Sequence, residues 1–583
     1  MIPNLQLSFT KFKDKINPQI MPHPISDLHL HCSLKGYAAD GHPDFTGQTI
    51  WDFFEERKPE LQKLNGPLRK AIENTAKSSQ ANLDACVEAG LRAPFLAVYP
   101  VERQLFDCDP QKPFKALFSL LLAGKQPAYL GSAVSGFPLD RVERIIASFD
   151  DGCNVGVNYY EEFLKERSWV LRQRDTRSKK YRQHRFEIAS DHGEFQDMLA
   201  DDKTVCGILT VEGAHSFGHY LRNTTFKKEF EALEDDERKI LESSMLRNIA
   251  EVKTEEFTPF FVTFCHHFNN HLAGHARSFS DKAPLFLGFN KPGMRHLFNQ
   301  TVGMNRGFTS LGRQALDLLL DRSKGRRILV DCKHMSLQSR REFYAVIREK
   351  REKGDPIPII HSHTAINGWW TLDMAEKAVE TADLDQDQYF SRWPINLTNE
   401  DILETYDSDG LIGVILHESR MPGEAFKEKA RQLKKKADNA RPGSDREARF
   451  RRELKDLYLQ LLWSNIFHIV KVVKEGRPGS KPADAWGMIA LGSDYDGLVD
   501  PFDPFPEVAG FQDLKQAMAA YLDSGQPLFF SQNGEAVELP EAEIQELLSG
   551  QTPTEVLDRI LFGNTERFLG RYFTEGYLGP RSQ

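Results

Sequence analysis

TVCGILTVEGAHS, residues 204–216, is an almost unbroken apolar run that stops at Glu212, Gly213 and His215. A run with so little polar alternation suits a strand buried on both faces, as in a parallel sheet covered by helices. Seven more stretches share the design. They are HPISDLHLHCS (23–33), AGLRAPFLAVYP (89–100), PFFVTFCHHFNNH (259–271), RRILVDCKHMS (326–336), PIPIIHSHTA (356–365), GLIGVILHES (410–419) and WGMIALGSDYDG (486–497). Between most of them apolar residues recur at helical spacing, as in TSLGRQALDLLLDRS (309–323) and LQSRREFYAVIREKRE (337–352). Eight strand–helix units predict a (β/α)8 barrel of the α/β class, elaborated as one domain over 1–583.

Two segments exceed the repeat. Residues 101–203 are long for one connection and hold an extra helix in FPLDRVERIIASFDDG (137–152). Residues 420–457 are dense in Lys, Arg, Glu and Asp and read as a solvated helical insertion. The tail TPTEVLDRILFGNTERFLGRYF (552–573) reads as two amphipathic helices broken at Gly563 and Asn564.

Over 583 residues, 40% hydrophobic and 27% charged side chains are ordinary for a globular enzyme with a large core. A net charge of −9 gives no reason to expect nucleic acid or an anionic membrane as partner. No apolar run reaches the roughly 18 residues of a membrane span, and MIPNLQLSFTKFKDKINPQ (1–19) lacks the apolar core of a secretory signal. Seven cysteines without CxxC spacing make no disulfide framework, so a reduced, cytoplasmic protein is expected. A homo-oligomer stays open.

A parallel barrel builds its site at the carboxyl ends of its strands. Those ends carry His29 and His31, Glu212, His266 and His267, His334, His361 and His363, and Asp494 and Asp496. Strand alternation puts His29 with His31, His361 with His363, and Asp494 with Asp496 on shared faces. Six strands thus aim imidazole or carboxylate at one mouth, a donor set suited to Zn²⁺ or a similar divalent ion. More than four such donors admit two ions with a carboxylate between them. Taken singly, each motif has a plainer reading: a capped strand end for His-x-His, a helix start for VEGAHS, an Asx-capped turn for GSDYDG. Their joint occurrence, each after an apolar strand, argues for ligands. Lys333 is expected on the strand face opposite His334. Cys32, Cys265 and Cys332 read as packing residues, and His215, His219, His271 and His275 as loop histidines. Trp369 and Trp370 either wall the pocket or pack a loop.

With these segments in order, the chain resembles the membrane (renal) dipeptidase family of zinc peptidases, within the amidohydrolase superfamily. The resemblance runs through DLHLH (27–31), TVEGAHS (210–216), CHHFNN (265–270), DCKHMS (331–336), IIHSHTA (359–365), LGSDYDG (491–497) and FGNTERFL (562–569). It implies a binuclear Zn²⁺ centre with a bridging hydroxide that cleaves an amide bond of a dipeptide. In that scheme His29 and His31 hold one ion, Glu212 bridges to a second, and His334 and His363 complete it. Asp494 would carry the proton of the bridging water, and His266 would face the substrate carbonyl. SHTA favours His363 over His361; His266 and His267 remain alternatives. Two departures stand out. His-x-His replaces the family's His-x-Asp, which adds one unit of positive charge to the centre. The family's substrate-carboxylate arginine has no aligned counterpart, and Arg392, three residues from Ile395, is the nearest candidate. A lactone, cyclic amide or phosphoester is therefore the rival substrate, and a non-catalytic barrel that binds a partner protein through the charged insertion is the rival class.

Overall fold

The computed structural model describes residues 23–54, 79–105, 132, 135, 137–150, 156–279, 300–381, 388–497, 499–532 and 535–580. The stretch 1–19 read above lies outside them. Eight parallel strands form the central sheet: β1 (Ile25–Leu30), β2 (Leu91–Val98), β3 (Thr204–Glu212), β4 (Phe261–Thr263), β5 (Leu329–Asp331), β6 (Ile360–Thr364), β7 (Leu411–Val414) and β8 (Ile489–Leu491). They pair in sequence order. Backbone hydrogen bonds from His31 N to Tyr495 O and from Asp494 N to His29 O, both 3.0 Å, close β1 against the end of β8. The sheet is the barrel the sequence predicts. All nine residues of β3 are buried, which is why its sequence shows no polar alternation.

The long connection after β2 adds structure of its own. Its strand Arg185–Ala189 pairs in parallel with the amino-terminal half of β3, outside the closed path. Its helix α1 (Tyr159–Arg172) is docked on the mouth of the barrel. Glu166 of α1 accepts hydrogen bonds from Ser33 Oγ (2.7 Å) and Tyr99 N (3.0 Å), tying the ends of β1 and β2 together. Its carboxyl sits in burial deep enough to push its pKa up to about 7.

On the outside lie α2 (Leu337–Glu352) and α3 (Asn399–Asp407), each started by a side-chain cap, Ser336 or Thr398. The charged segment folds as helix α4 (Glu424–Asp438) and the start of α5 (Asp445–Gly476). It is less solvated than its composition suggests. Phe426, Leu433, Phe450 and Leu454 are buried along the two helices, and each contributes about 2 kcal/mol by leaving water.

The tail corrects one expectation. Gly563 and Asn564 do not break the helix: Pro553–Asp558 runs through a π-turn at Arg559–Gly563 into α6 (Asn564–Tyr572). The π-turn presents Asn564 Nδ2 to the carbonyls of Trp486 and Ile489, both at 2.7 Å, so the helix latches the start of β8. Among the described residues no helix is long and apolar enough to cross a membrane.

Candidate metal centre

The two hydrogen bonds that close the barrel also set His29 and His31 beside Asp494. Glu212 ends β3, His266 and His334 follow β4 and β5, and His363 lies in β6. The Nε2 atoms of His29 and His31 lie 3.2 and 3.1 Å from the two oxygens of Glu212 and 3.2 Å from each other. Asp494 Oδ1 stands 3.8 and 3.5 Å from the same two nitrogens. On the other side of Glu212, Nε2 of His334 and His363 lie 3.7 and 3.8 Å from Oε1 and 3.3 Å apart. His363 Nε2 is also 3.8 Å from Asp494 Oδ2, and His266 Nε2 is 3.4 Å from Glu212 Oε1.

These spacings suit a metal. Tetrahedral Zn²⁺ bonds of 2.0–2.1 Å put neighbouring donors about 3.3–3.4 Å apart. Two donor groups come together on that scale: His29, His31, Glu212 and Asp494, and Glu212, His334 and His363. Glu212 belongs to both. A third grouping, His266, His267 and His334, lies at the edge of the same cluster.

The proton inventory agrees with the donor geometry. Asp331 accepts the hydroxyl proton of Ser362 (2.6 Å), so the Ser362 oxygen accepts from His363 Nδ1–H at 2.8 Å, leaving Nε2 of His363 as a lone pair aimed at Glu212. Nδ1 of His29, His31 and His334 are buried, with no hydrogen-bond partner among the described residues. Burial opposes charge on Glu212, yet the surrounding His266 and His29 hold its carboxyl well below the usual range. Burial likewise opposes an imidazolium at His31, but hydrogen bonds to Asp494 and Glu212 outweigh it and raise its pKa to about 10. His334 and His363 go the other way: burial drives both far down, so they are neutral donors.

Local backbone explains how short strands deliver these side chains. His334 and Asp494 both have left-handed backbone, φ 67° and 62°, at a cost of about 1–3 kcal/mol each. Gly497 lies so close that a Cβ there would stand 2.1 Å from Asp494 Oδ1 and 2.8 Å from His31, so only glycine fits.

Several side chains depart from the alternation rule. His361 does not share the face of His363. Pairing runs His361–Ile412 but Thr364–Val414, so β6 carries one extra residue between them and His361 turns outward to the Tyr344 hydroxyl of α2 at 3.4 Å. Asp496 leaves Asp494 and binds the chain at 79–81: it accepts from Ser79 Oγ and from Gln80 N and Ala81 N, with Lys35 Nζ at 2.6 Å. Lys333 is not opposite His334. The strand ends at Asp331, the turn resets the pleat, and both residues line one cavity beside Asp494. Burial, with Arg420 adding to it, pushes the Lys333 ammonium down to about 7. Arg392 lies over the Trp369 ring at 5.1 Å and is not among the described residues that line the cavity, and neither tryptophan lines it. His215 and His275 hydrogen-bond to backbone carbonyls of Pro100, Ala276 and Val302.

Sequence reading missed Glu102. Its carboxylate accepts the Nδ1–H of His266 and, at 3.2 Å, the backbone N–H of Phe268. Tyr99 packs edge-on against His266, with ring centroids 4.8 Å apart. The signal was there: Glu102 is the first carboxylate beyond β2, four residues past the strand's end at Val98 and so near the mouth of the barrel. His266 and His267 both line the cavity, and His266 is the one whose Nε2 faces Glu212.

No family model matches the sequence, and no curated protein matches it. Among solved structures, the chain is similar to a probable dipeptidase from Pseudomonas aeruginosa at 15% identity and TM-score 0.40, covering 84% of this chain and 88% of that one. It is similar to a metallo peptidase from Rhodobacter sphaeroides, solved with a phosphinate mimic of the dipeptide L-Ala-D-Ala, at 14% and 0.39, covering 94% and 99%. An amidohydrolase from Pseudomonas aeruginosa follows at 12% and 0.35, covering 88% and 100%. Likeness at this level decides nothing about activity; that falls to the donor geometry around Glu212.

Proposed function

We propose that the chain is a metal-dependent hydrolase that cleaves the amide bond of a dipeptide-like substrate, using two divalent cations, Zn²⁺ foremost. The observation that carries this reading is the position of Glu212, whose carboxylate stands between the His29–His31 pair and the His334–His363 pair. One ion would account for one such pair; a second pair on the same carboxylate calls for a second ion, and a scaffold needs neither. When bound, two such ions supply an acidified water near neutral pH and polarise the scissile carbonyl.

The rest is done by the protein's own side chains. Asp494 reaches both halves of the cluster through its two oxygens, which suits a group that takes a proton from water and returns it to the leaving amine. Glu102 holds the Nδ1–H of His266 and favours the protonated ring, whose Nε2–H then points into the site as a donor for a developing oxyanion. Loss of one such donor typically costs about 10²–10³ in rate.

The test uses the full-length protein loaded with Zn²⁺, assayed for metal content and against panels of dipeptides, lactones and phosphoesters. Two equivalents of metal with turnover of at least one dipeptide is the expected result. Well under one equivalent, not restored by added metal, favours the non-catalytic barrel. Turnover of a lactone or phosphoester with no dipeptide cleaved replaces the amide by the rival bond.

A further inference from the structure

One wall of the cavity carries charge that the chemistry above does not use. Lys333 follows β5 and Arg420 follows β7, and both line the cavity next to His334, His363 and Asp494. Lys333 is 2% exposed, and its Nζ has no hydrogen-bond partner among the described residues. Among the described residues no carboxylate lies within ion-pair distance of either cation, whereas buried Lys35 pairs with Asp496 and buried Arg340 with Asp401. The Arg420 guanidinium is held over two rings, 5.9 Å from the centroid of Phe279 and 5.8 Å from that of Trp393, so its direction is set before any ligand arrives. Asp494 is the one carboxylate among the described residues lining the cavity, and it faces the histidines.

Two like charges facing one small space repel each other, and a buried ammonium without a partner is costly. A ligand that brings two negative charges removes both costs at once. In a dipeptide, one residue can do this: an acidic residue at the carboxyl end, which carries a side-chain carboxylate and the terminal carboxylate together. We propose that Lys333 and Arg420 form a dianion subsite that selects substrates whose carboxyl-terminal residue is aspartate or glutamate. Arg420 is the partner for a bidentate carboxylate contact, and Lys333 supplies a point charge for the second. The proposal rests on the dipeptidase-like reading for its substrate, though not for the existence of the subsite.

Binding and turnover test it separately. Calorimetric titration of the metal-free, full-length protein with L-aspartate, L-glutamate, L-alanine and inorganic phosphate reads the subsite without hydrolysis. At least tenfold tighter binding of an acidic amino acid than of alanine is expected. Lys333→Gln and Arg420→Gln should each reduce that preference at least tenfold, with Arg420→Lys keeping part of it and metal content on loading unchanged. In the Zn²⁺-loaded protein, kcat/KM for Ala-Asp or Ala-Glu should exceed that for both Ala-Ala and Asp-Ala by at least tenfold. Equal affinity for alanine and the acidic amino acids, a preference that survives both Gln variants, or phosphate binding tighter than either acid overturns the proposal. Preference in binding with no dipeptide cleaved keeps the subsite and rejects the dipeptide as substrate instead.

Discussion

His29-Leu-His31 and His361-Ser-His363 are the same motif at the ends of two strands of one barrel, and the fold treats them differently. The first delivers both imidazoles to Glu212. The second delivers His363 alone, while His361 joins a buried network in which Tyr344 donates to Asp401 and Arg340 pairs with it at 2.7 Å. Each strand breaks register with its neighbour by one extra residue near the motif (β1 after an opposite shift between Ile25 and Ser26), and the position of that residue decides the outcome. In β1 it falls between Asp27 and Leu30, so Asp27 is the residue parted from the site; it accepts the backbone N–H groups of His29 and Ser493 instead. In β6 it falls between His361 and Thr364 and parts the two histidines. A period of two holds only where the pairing register holds.

The largest effect that could break this comparison is on metal content. His29→Ala, His31→Ala and His363→Ala should each lower bound Zn²⁺ by about one equivalent and reduce hydrolysis by more than the 10–100-fold typical of outer partners. His361→Ala should keep full metal content and cost about 1–3 kcal/mol of stability, because the hydroxyl of Tyr344 loses a buried partner. Metal analysis beside denaturant unfolding checks both, and metal loss in His361→Ala would reverse the assignment.

A smaller effect sharpens the role of the residues behind the ligands. Glu102→Gln removes the anion that holds His266 while leaving every proposed ligand in place. It should lower kcat about 10–100-fold, with metal content unchanged and the acidic limb of the pH–rate profile displaced. An unchanged profile would reduce Glu102 to a packing residue.

The smallest effect concerns a histidine that resembles the ligands only in being buried. His468 donates Nε2–H to Asn399 Oδ1 at 2.8 Å and accepts Ser531 N–H at 3.2 Å, so both ring nitrogens are committed to the neutral form. Burial lowers its pKa to about 3 from an ordinary 6.5. The folded state thus binds its proton later than the unfolded chain does. Its contribution is complete above pH 6.5 and is lost progressively as pH falls from 6.5 toward 3, by about 2–3 kcal/mol at pH 4.5. Urea unfolding from pH 8 to 4.5 reads this in the wild type. His468→Gln should flatten the same curve by that amount, and an equal slope in the variant would show the loss to come from other groups.

Much of the architecture was legible in the chain. The eight apolar runs are the eight strands, because a parallel strand covered on both faces has to be apolar throughout, and that leaves a plain signature. His29, His31, Glu212, His334, His363 and Asp494 could be picked out because each stands at or just beyond the carboxyl end of such a run, where a barrel opens to solvent. Glu102 and Arg420 follow β2 and β7 in the same way, but neither stands beside a histidine pair or an acidic repeat that would have drawn attention to it. The helical character of 420–457 was visible in its composition, whereas the burial of Phe426 and Phe450 against each other's helices was not, since apolar residues spaced along a charged segment do not reveal their partner.

By itself, then, the amino-acid order determined which segments are strands and which polar side chains stand at their ends. Those properties are local, written in runs of a few residues. The tertiary structure alone decided which of those side chains meet. A bulge in β6, left-handed turns at His334 and Asp494, and a break in the pleat after Asp331 each redirect a side chain, and each depends on the strand beside it. Pairing register is an agreement between two distant segments, so no single stretch can state it.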